Sequence, residues 1–264
     1  MFFNYYLKDK GNFNAAEATV FETGTNKWKQ YKTWPPRQSI ATTYFLQSNK
    51  KLTTTKPLIS NNYDEYVSDP ADPVPYTKEI QGNRNNGYMA EDQRFAAKRK
   101  DVILFETDIL SKDVTLAGKI IADLQVSLTT TDADFIVKLI DVLPINEPTP
   151  PFVAKGTEMA GLQRLVRAEV MRGKFRENFS TAKPFVPNKI TNVKFDLNDV
   201  AHTFKKGHKI MVQIQSSWFP LVDRNPQKFM RIPDANESDF QKASIRIYHD
   251  KKNASKIILP VLKN

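Results

Sequence analysis

Cysteine is absent from the 264 residues. That excludes a disulfide scaffold, a thiolate metal site and a cysteine nucleophile, and it leaves the compartment unread. Histidine is scarce, so only His202, His208 and His249 could serve as imidazole bases. No two of the 9 glycines frame a serine as G-x-S-x-G, which removes a nucleophile elbow. A P-loop, a dinucleotide fingerprint and an H-E-x-x-H pair are also missing, and no cofactor or metal is implied. No apolar run approaches the length of a membrane span. The start, MFFNYYLKDKG, has aromatics before charges, which is not the order of a signal peptide.

What is there is a basic chain, 39 − 29 = +10, that is 40% hydrophobic and long enough for a sizeable core. The positive residues come in scattered groups such as Lys98-Arg99-Lys100, Lys205-Lys206 and Lys251-Lys252, each near acidic neighbours. A phosphate-binding face needs basic residues gathered on one element, so these groups read as solvated surface rather than a nucleic-acid site.

Three zones follow one another. In residues 1–36, Phe2, Phe3, Tyr5, Tyr6 and Leu7 would coat a short helix ended by Gly11, and Thr19–Thr23 reads as one apolar strand. A helix and a lone strand cannot bury themselves and need a sheet from elsewhere. Residues 37–100 offer short strands at Thr43–Gln47 and Tyr63–Val67, the stiff segment SDPADPVPY (68–76) and the polar segment 83–95. Residues 101–264 carry eight alternating stretches. In one of them Ile120, Ala122, Leu124, Val126 and Leu128 face one way and Asp123, Gln125 and Ser127 the other. Repeated alternation without intervening helical periods predicts an all-β jelly-roll sandwich. The proline-rich loop 144–160 is its longest excursion.

Strand 207–215 alternates Ile210, Val212 and Ile214 with Met211, Gln213 and Gln215, predicting one buried face, then runs into Trp218-Phe219-Pro220 and the polar turn Asp223-Arg224-Asn225-Pro226. This loop reads both as an aromatic plug pinned by Asp223 and Arg224 and as a docking surface or pocket rim. His202 and His208 read as residues in structural hydrogen bonds, and His249 as a solvent-exposed strand end. Asp132 with Asp134, and Asp196 with Asp199, read as turn aspartates bonding their own backbone, with calcium as the alternative.

Five runs in order, EYVSDPADPVPY (65–76), EDQRF (91–95), DADFIVKLIDV (132–142), LVRAEVMRGKFRENFS (165–180) and GHKIMVQIQSSWFPLVDRNPQ (207–227), resemble one family. It is the C-terminal region of the X-Pro dipeptidyl-peptidase, α-amino-acid ester hydrolase, glutaryl acylase and cocaine esterase group of serine hydrolases. The resemblance implies a galactose-binding-like jelly roll over 37–264, preceded in 1–36 by the last helix and strand of an α/β-hydrolase domain and the crossover from it. The family's Ser-Asp-His triad has no matching position here, so no catalytic residue carries over and the chain alone is expected to be inactive. The implied partner is the α/β-hydrolase catalytic domain of the same parent protein, and through it a peptide or an amino-acyl ester or amide. A homo-oligomer is left open. The expected pocket rim or domain interface comprises Tyr88, Met89, Asp92, Gln93, Arg94, Trp218, Phe219, Asp223 and Arg224. Two rival readings are a carbohydrate-binding module stacking sugars on Trp218, Trp34 and Tyr88, and a module that docks an acidic partner.

Overall fold

The computed structural model describes residues 2–79, 86–153 and 158–263. The start of the polar segment, 83–85, and Gly156 of the long loop therefore lie outside the described residues. Among the described residues a short helix α1 (Phe2–Lys8) is followed by thirteen strands. These are β1 (Ala18–Glu22), β2 (Lys27–Tyr31), β3 (Ser39–Gln47), β4 (Lys51–Thr53), β5 (Tyr63–Ser68), β6 (Ile103–Glu106) and β7 (Val114–Leu128). They continue as β8 (Asp134–Val142), β9 (Gln163–Arg172), β10 (Thr191–Phe204), β11 (Lys209–Gln215), β12 (Ala243–Tyr248) and β13 (Lys256–Leu262), with one short helix α2 (Arg94–Ala97) before β6.

Strand β7 organises one layer. Along one edge it pairs antiparallel with β10, and along the other with β13 and then β12, which carry β3 and β5 beyond them. The second layer runs β6-β11-β8-β9, and short β4 joins the two by pairing with both β3 and β6. The inward residues of β7 named above meet Phe105, Phe135, Leu139, Phe195 and Ile214 in one continuous core, which makes the molecule a β-sandwich.

Several sequence expectations change. Asp196 and Asp199 do not flank a turn: β10 runs through them with a bulge, where the register shifts and Asn198 takes φ +62°. Gln213 and Gln215 are not solvent-facing, since β11 from Ile210 and nearly all of β8 are buried on both faces. The reason is a cover: residues 69–79, residues 86–98 and the loop after β11 lie across the outer face of that sheet and pack Tyr76, Tyr88 and Trp218 on Ile136. His249 is likewise enclosed, because the chain at 59–62 folds over the end of β12 and bonds His249 and Lys251 through its carbonyls.

The strand Thr19–Thr23, read as lacking a partner, pairs with β2 in a two-stranded hairpin. The hairpin docks by its turn end. Thr23 N–H donates to the Ala201 carbonyl at 3.1 Å and Thr203 N–H to the Thr23 carbonyl at 2.9 Å. Gly24 (φ +85°) permits this approach, since a Cβ there would fall 2.1 Å from the Thr203 carbonyl oxygen. Neither strain can relax without moving backbone. Gly24→Ala is therefore expected to undock the hairpin at a cost of roughly 2 kcal/mol. Amide exchange should show lost protection at Thr23 and Thr203 while β8 and β11 stay protected.

Candidate functional site

The cover brings part of the predicted rim together. Tyr88 meets Trp218 edge-to-face at 5.5 Å and Tyr76 at 5.6 Å. Phe219 clamps the same seam through its backbone: its N–H donates to the Val74 carbonyl, and its carbonyl accepts from Tyr76 N–H, both at 2.9 Å. Gln93 points inward and is buried, with its N–H on the Gln163 carbonyl of β9 at 2.9 Å. Asp92 braces the segment by accepting from the Arg94 and Gln163 backbone N–H groups and from the Arg94 guanidinium. Arg94 also reaches the Ala160 carbonyl at 3.3 Å.

At the centre of this seam stands Lys138, a residue not singled out in the sequence. Its Nζ donates to Gln93 Oε1 at 3.0 Å and lies 5.1 Å from the centre of the Trp218 ring, with no exposed surface. Desolvation pushes its amine down to about 7, against an opposing pull from the Glu91 carboxylate. A signal was present: a lysine in the middle of the otherwise apolar run FIVKLI marks a strand whose outer face is covered, where a cation must find partners.

Other residues expected at a rim sit apart. Met89 is exposed beside the seam. Asp223 is exposed and pairs with Arg172, while Arg224 bonds Glu237 at 2.6 Å and the Pro70 carbonyl, and stacks on Phe240 at 4.5 Å. These two pin the loop. Trp218 is only 5% exposed, so its ring offers no platform for a stacked sugar. A cleft of about 510 Å³ opens beside the seam between Glu91, Asp92, Arg94, Lys98, Lys78 and Glu158. Both signs of charge line it.

Two buried charged clusters flank this region. Asp132 and Asp134 face cations: Asp132 accepts from the Ala133 and Lys174 N–H groups at 3.0 Å and lies 3.7 Å from Lys174 Nζ, and Asp134 pairs with Arg172 at 3.2 Å. Asn225 ties both carboxylates to the loop after β11. Burial, with Asp134 beside it, pushes Asp132 up to about 6.

The second cluster has Asp141 at its centre. His208 Nδ1 lies 2.8 Å from Asp141 Oδ1 and His202 Nε2 3.4 Å from Oδ2, while Thr23 Oγ1 is 2.7 Å from His202 Nδ1. Hydroxyl, imidazole and carboxylate thus stand in a row, yet the hydroxyl also bonds the Ala201 carbonyl and the His202–Asp141 contact lacks hydrogen-bond geometry. The row docks the hairpin. Burial would raise the Asp141 carboxyl, but the two histidines outweigh it and hold its pKa below the usual carboxylate value.

The sandwich and its covered outer face define an all-β domain. The chain belongs to the X-Pro dipeptidyl-peptidase C-terminal non-catalytic domain family, whose model it matches over residues 13–258. It is similar over 99% of its length to an aminopeptidase from the marine sediment archaeon Thaumarchaeota archaeon, at 37% identity and a TM-score of 0.92, covering 43% of that chain. It resembles an α-amino acid ester hydrolase over 98% of its length, at 36% identity and a TM-score of 0.89, again covering 43% of that chain. The cocaine esterase of Rhodococcus sp. (strain MB1 Bresler) is 28% identical over an alignment 272 positions long that takes in 99% of this chain and 45% of that protein. The chain thus spans less than half the length of these relatives.

Asp141→Asn is expected to cost about 2 kcal/mol at neutral pH, because the buried carboxylate's hydrogen bond to His208 Nδ1 at 2.8 Å is weakened. The stability that Asp141 confers is present above the unfolded carboxylate pKa and is lost as pH falls through its lower native value. Thermal melts from pH 7 down to pH 2 should therefore show a steeper acid limb in the native protein than in the variant.

Proposed function

We propose that this chain is the C-terminal β-sandwich domain of a serine hydrolase that cleaves esters or amides beside an α-amino-acyl or X-Pro group. In this reading residues 37–264 form the sandwich domain proper, of galactose-binding-like type. Residues 1–36 are the end of an α/β-hydrolase domain together with the crossover from it. The sandwich packs on that catalytic domain and helps wall its active site with the segment Tyr88–Arg94 and the loop Trp218–Arg224.

One observation carries the reading. Helix α1 buries none of its residues, and Phe3, Tyr6 and Leu7 are 69%, 59% and 73% exposed. On the hairpin, Phe21 and Trp28 pack edge-to-face on each other and stay exposed as well. Aromatic surface gathered on one terminal segment marks a face that another body covers. Family membership and the relatives' greater length support the identity of that body as a catalytic domain. The cleft beside Asp92 and Arg94 supports the placing of the wall, because polar groups held on a braced loop can orient a substrate that the partner domain attacks.

The purified chain is expected not to hydrolyse an activated amino-acid ester, with or without a serine-directed phosphonate. Turnover that the phosphonate abolishes would overturn the non-catalytic assignment. Immunoblotting of native extract should show a product far heavier than 30.3 kDa; a band at that mass would remove the parent hydrolase.

The exposed aromatics supply a second test. Replacing Phe3, Tyr6 and Leu7 with glutamate should leave the melting temperature of the isolated chain within a few degrees, since the rings they meet, Phe2, Tyr5 and Phe13, belong to the same terminal segment and not to the sandwich core. The same change in the parent protein should lower its hydrolytic activity at least tenfold. Unchanged activity there would sink the interface, and a switch from dimer to monomer in the isolated chain would instead assign the patch to self-association.

A further inference from the structure

Lys138 stands where the two loops of the proposed wall converge on the sheet. One side chain touches both: Gln93 through the hydrogen bond at 3.0 Å and Trp218 through its ring face at 5.1 Å. An ammonium has three protons to donate, and one acceptor is in place. Around it the polar accounting is incomplete. Gln213, paired directly across from Lys138 in the sheet, leaves its Oε1 without a partner, as do Gln215 Oε1, Glu91 Oε2 and the Trp218 indole N–H. Buried polar atoms left unpaired destabilise the closed arrangement and are relieved when water enters. The cover rests on the sheet through few apolar residues: Tyr76, Tyr88, Trp218, Leu221 and Val222.

We propose that Lys138 is the positioning residue for both loops, and that gain of its proton lifts them from the sheet together. The lysine touches no substrate in this scheme; it acts through Gln93 and Trp218. As a statement about a pocket wall the proposal rests on the function proposed above, but the movement is a property of this chain alone.

The groups facing Lys138 fix the direction. From the cover comes Glu91, whose Oε1 is held by the Lys78 N–H at 3.0 Å; Asp92 and Arg94 on the same segment pair with each other. Across the sheet the β9 neighbour is Ala168 and the β11 neighbour Gln213, neither charged. On the loop after β11 the first carboxylate along the chain, Asp223, is occupied by Arg172. Desolvation is thus met by one carboxylate, and the enclosed amine holds its proton only to about pH 7. A lysine released to water holds its proton to about pH 10.4. Between these values the open form binds more protons than the closed form. Falling pH therefore favours opening across that window, and below it the preference levels off.

Amide exchange of the intact chain tests this at Gln93, whose N–H ties the cover to the Gln163 carbonyl of β9, and at Ala96 and Ala97, whose N–H groups close the turn of α2 on the Gln93 carbonyl. After correction for intrinsic exchange chemistry, the opening constant should rise about tenfold from pH 9 to pH 8 and flatten below about pH 7. In a variant with Trp28→Phe and Trp34→Phe, the emission of Trp218 should shift over the same range. Lys138→Met should abolish both dependences and keep the cover closed. Lys138→Arg, which cannot shed its charge, should leave the three amides poorly protected at every pH and serves if the methionine variant does not fold. A flat profile in the native chain, or an unchanged profile in either variant, would overturn the proposal. None of these readouts needs hydrolase activity, so a failure here leaves the proposed function standing, and loss of that function leaves this test intact.

Discussion

Burial of one sheet on both faces is the constraint from which the rest of the molecule follows. In β8 the alternation of a strand sends Phe135, Val137 and Leu139 into the sandwich core and Ile136, Lys138 and Ile140 outward. The outward set would be wet in a simple two-layer fold. Here a third layer of irregular chain covers it, and irregular chain brings backbone and side-chain polar groups that must be satisfied without water. The glutamines of β11, Gln93 and Gln163 answer part of that demand. The charged clusters at Asp132–Asp134 and at Asp141 lie at opposite ends of β8 and fasten what adjoins it there, the loop through Asn225 and the hairpin through His202.

The sandwich itself was legible because its signal is local. Alternation in β7, β11, β12 and β13 predicts strands of nearly the observed extent, since a side chain's face follows from its parity along the strand. What escaped is what depends on distant chain. Lys27–Tyr31 places Trp28 and Tyr31 at opposite parity, shows no apolar face of its own, and becomes a strand by pairing with β1. The burial of Gln213, Gln215 and His249 is imposed by segments far away in sequence. In β10, the aspartates read as a turn sit at a bulge that Asn198 accommodates without ending the strand.

The meeting of the two candidate loops was legible in the same measure. Tyr88, Gln93, Trp218 and Phe219 do converge, because two polar, aromatic loops on one sheet have a single outer face to share. Asp223 and Arg224 point elsewhere, each taken by an opposite charge, as expected of long charged side chains at a rim. Lys138 was overlooked because a lone charge within a strand is ordinarily read as the wet parity. The apolar residues on both sides of it told against that reading.

The hairpin is joined to the sandwich at its turn, through Thr23, Gly24 and the buried Glu22, whose carboxylate takes the Thr203 and Thr25 hydroxyls. The faces of its strands that carry Phe21 and Trp28 stay exposed. A body that settles on those faces therefore finds them already held in orientation, and the entropy of arranging the platform is lost during folding, not at the moment of association. Relative to a flexible tether, such a mount shifts the cost of assembly from the encounter to the polypeptide's own maturation.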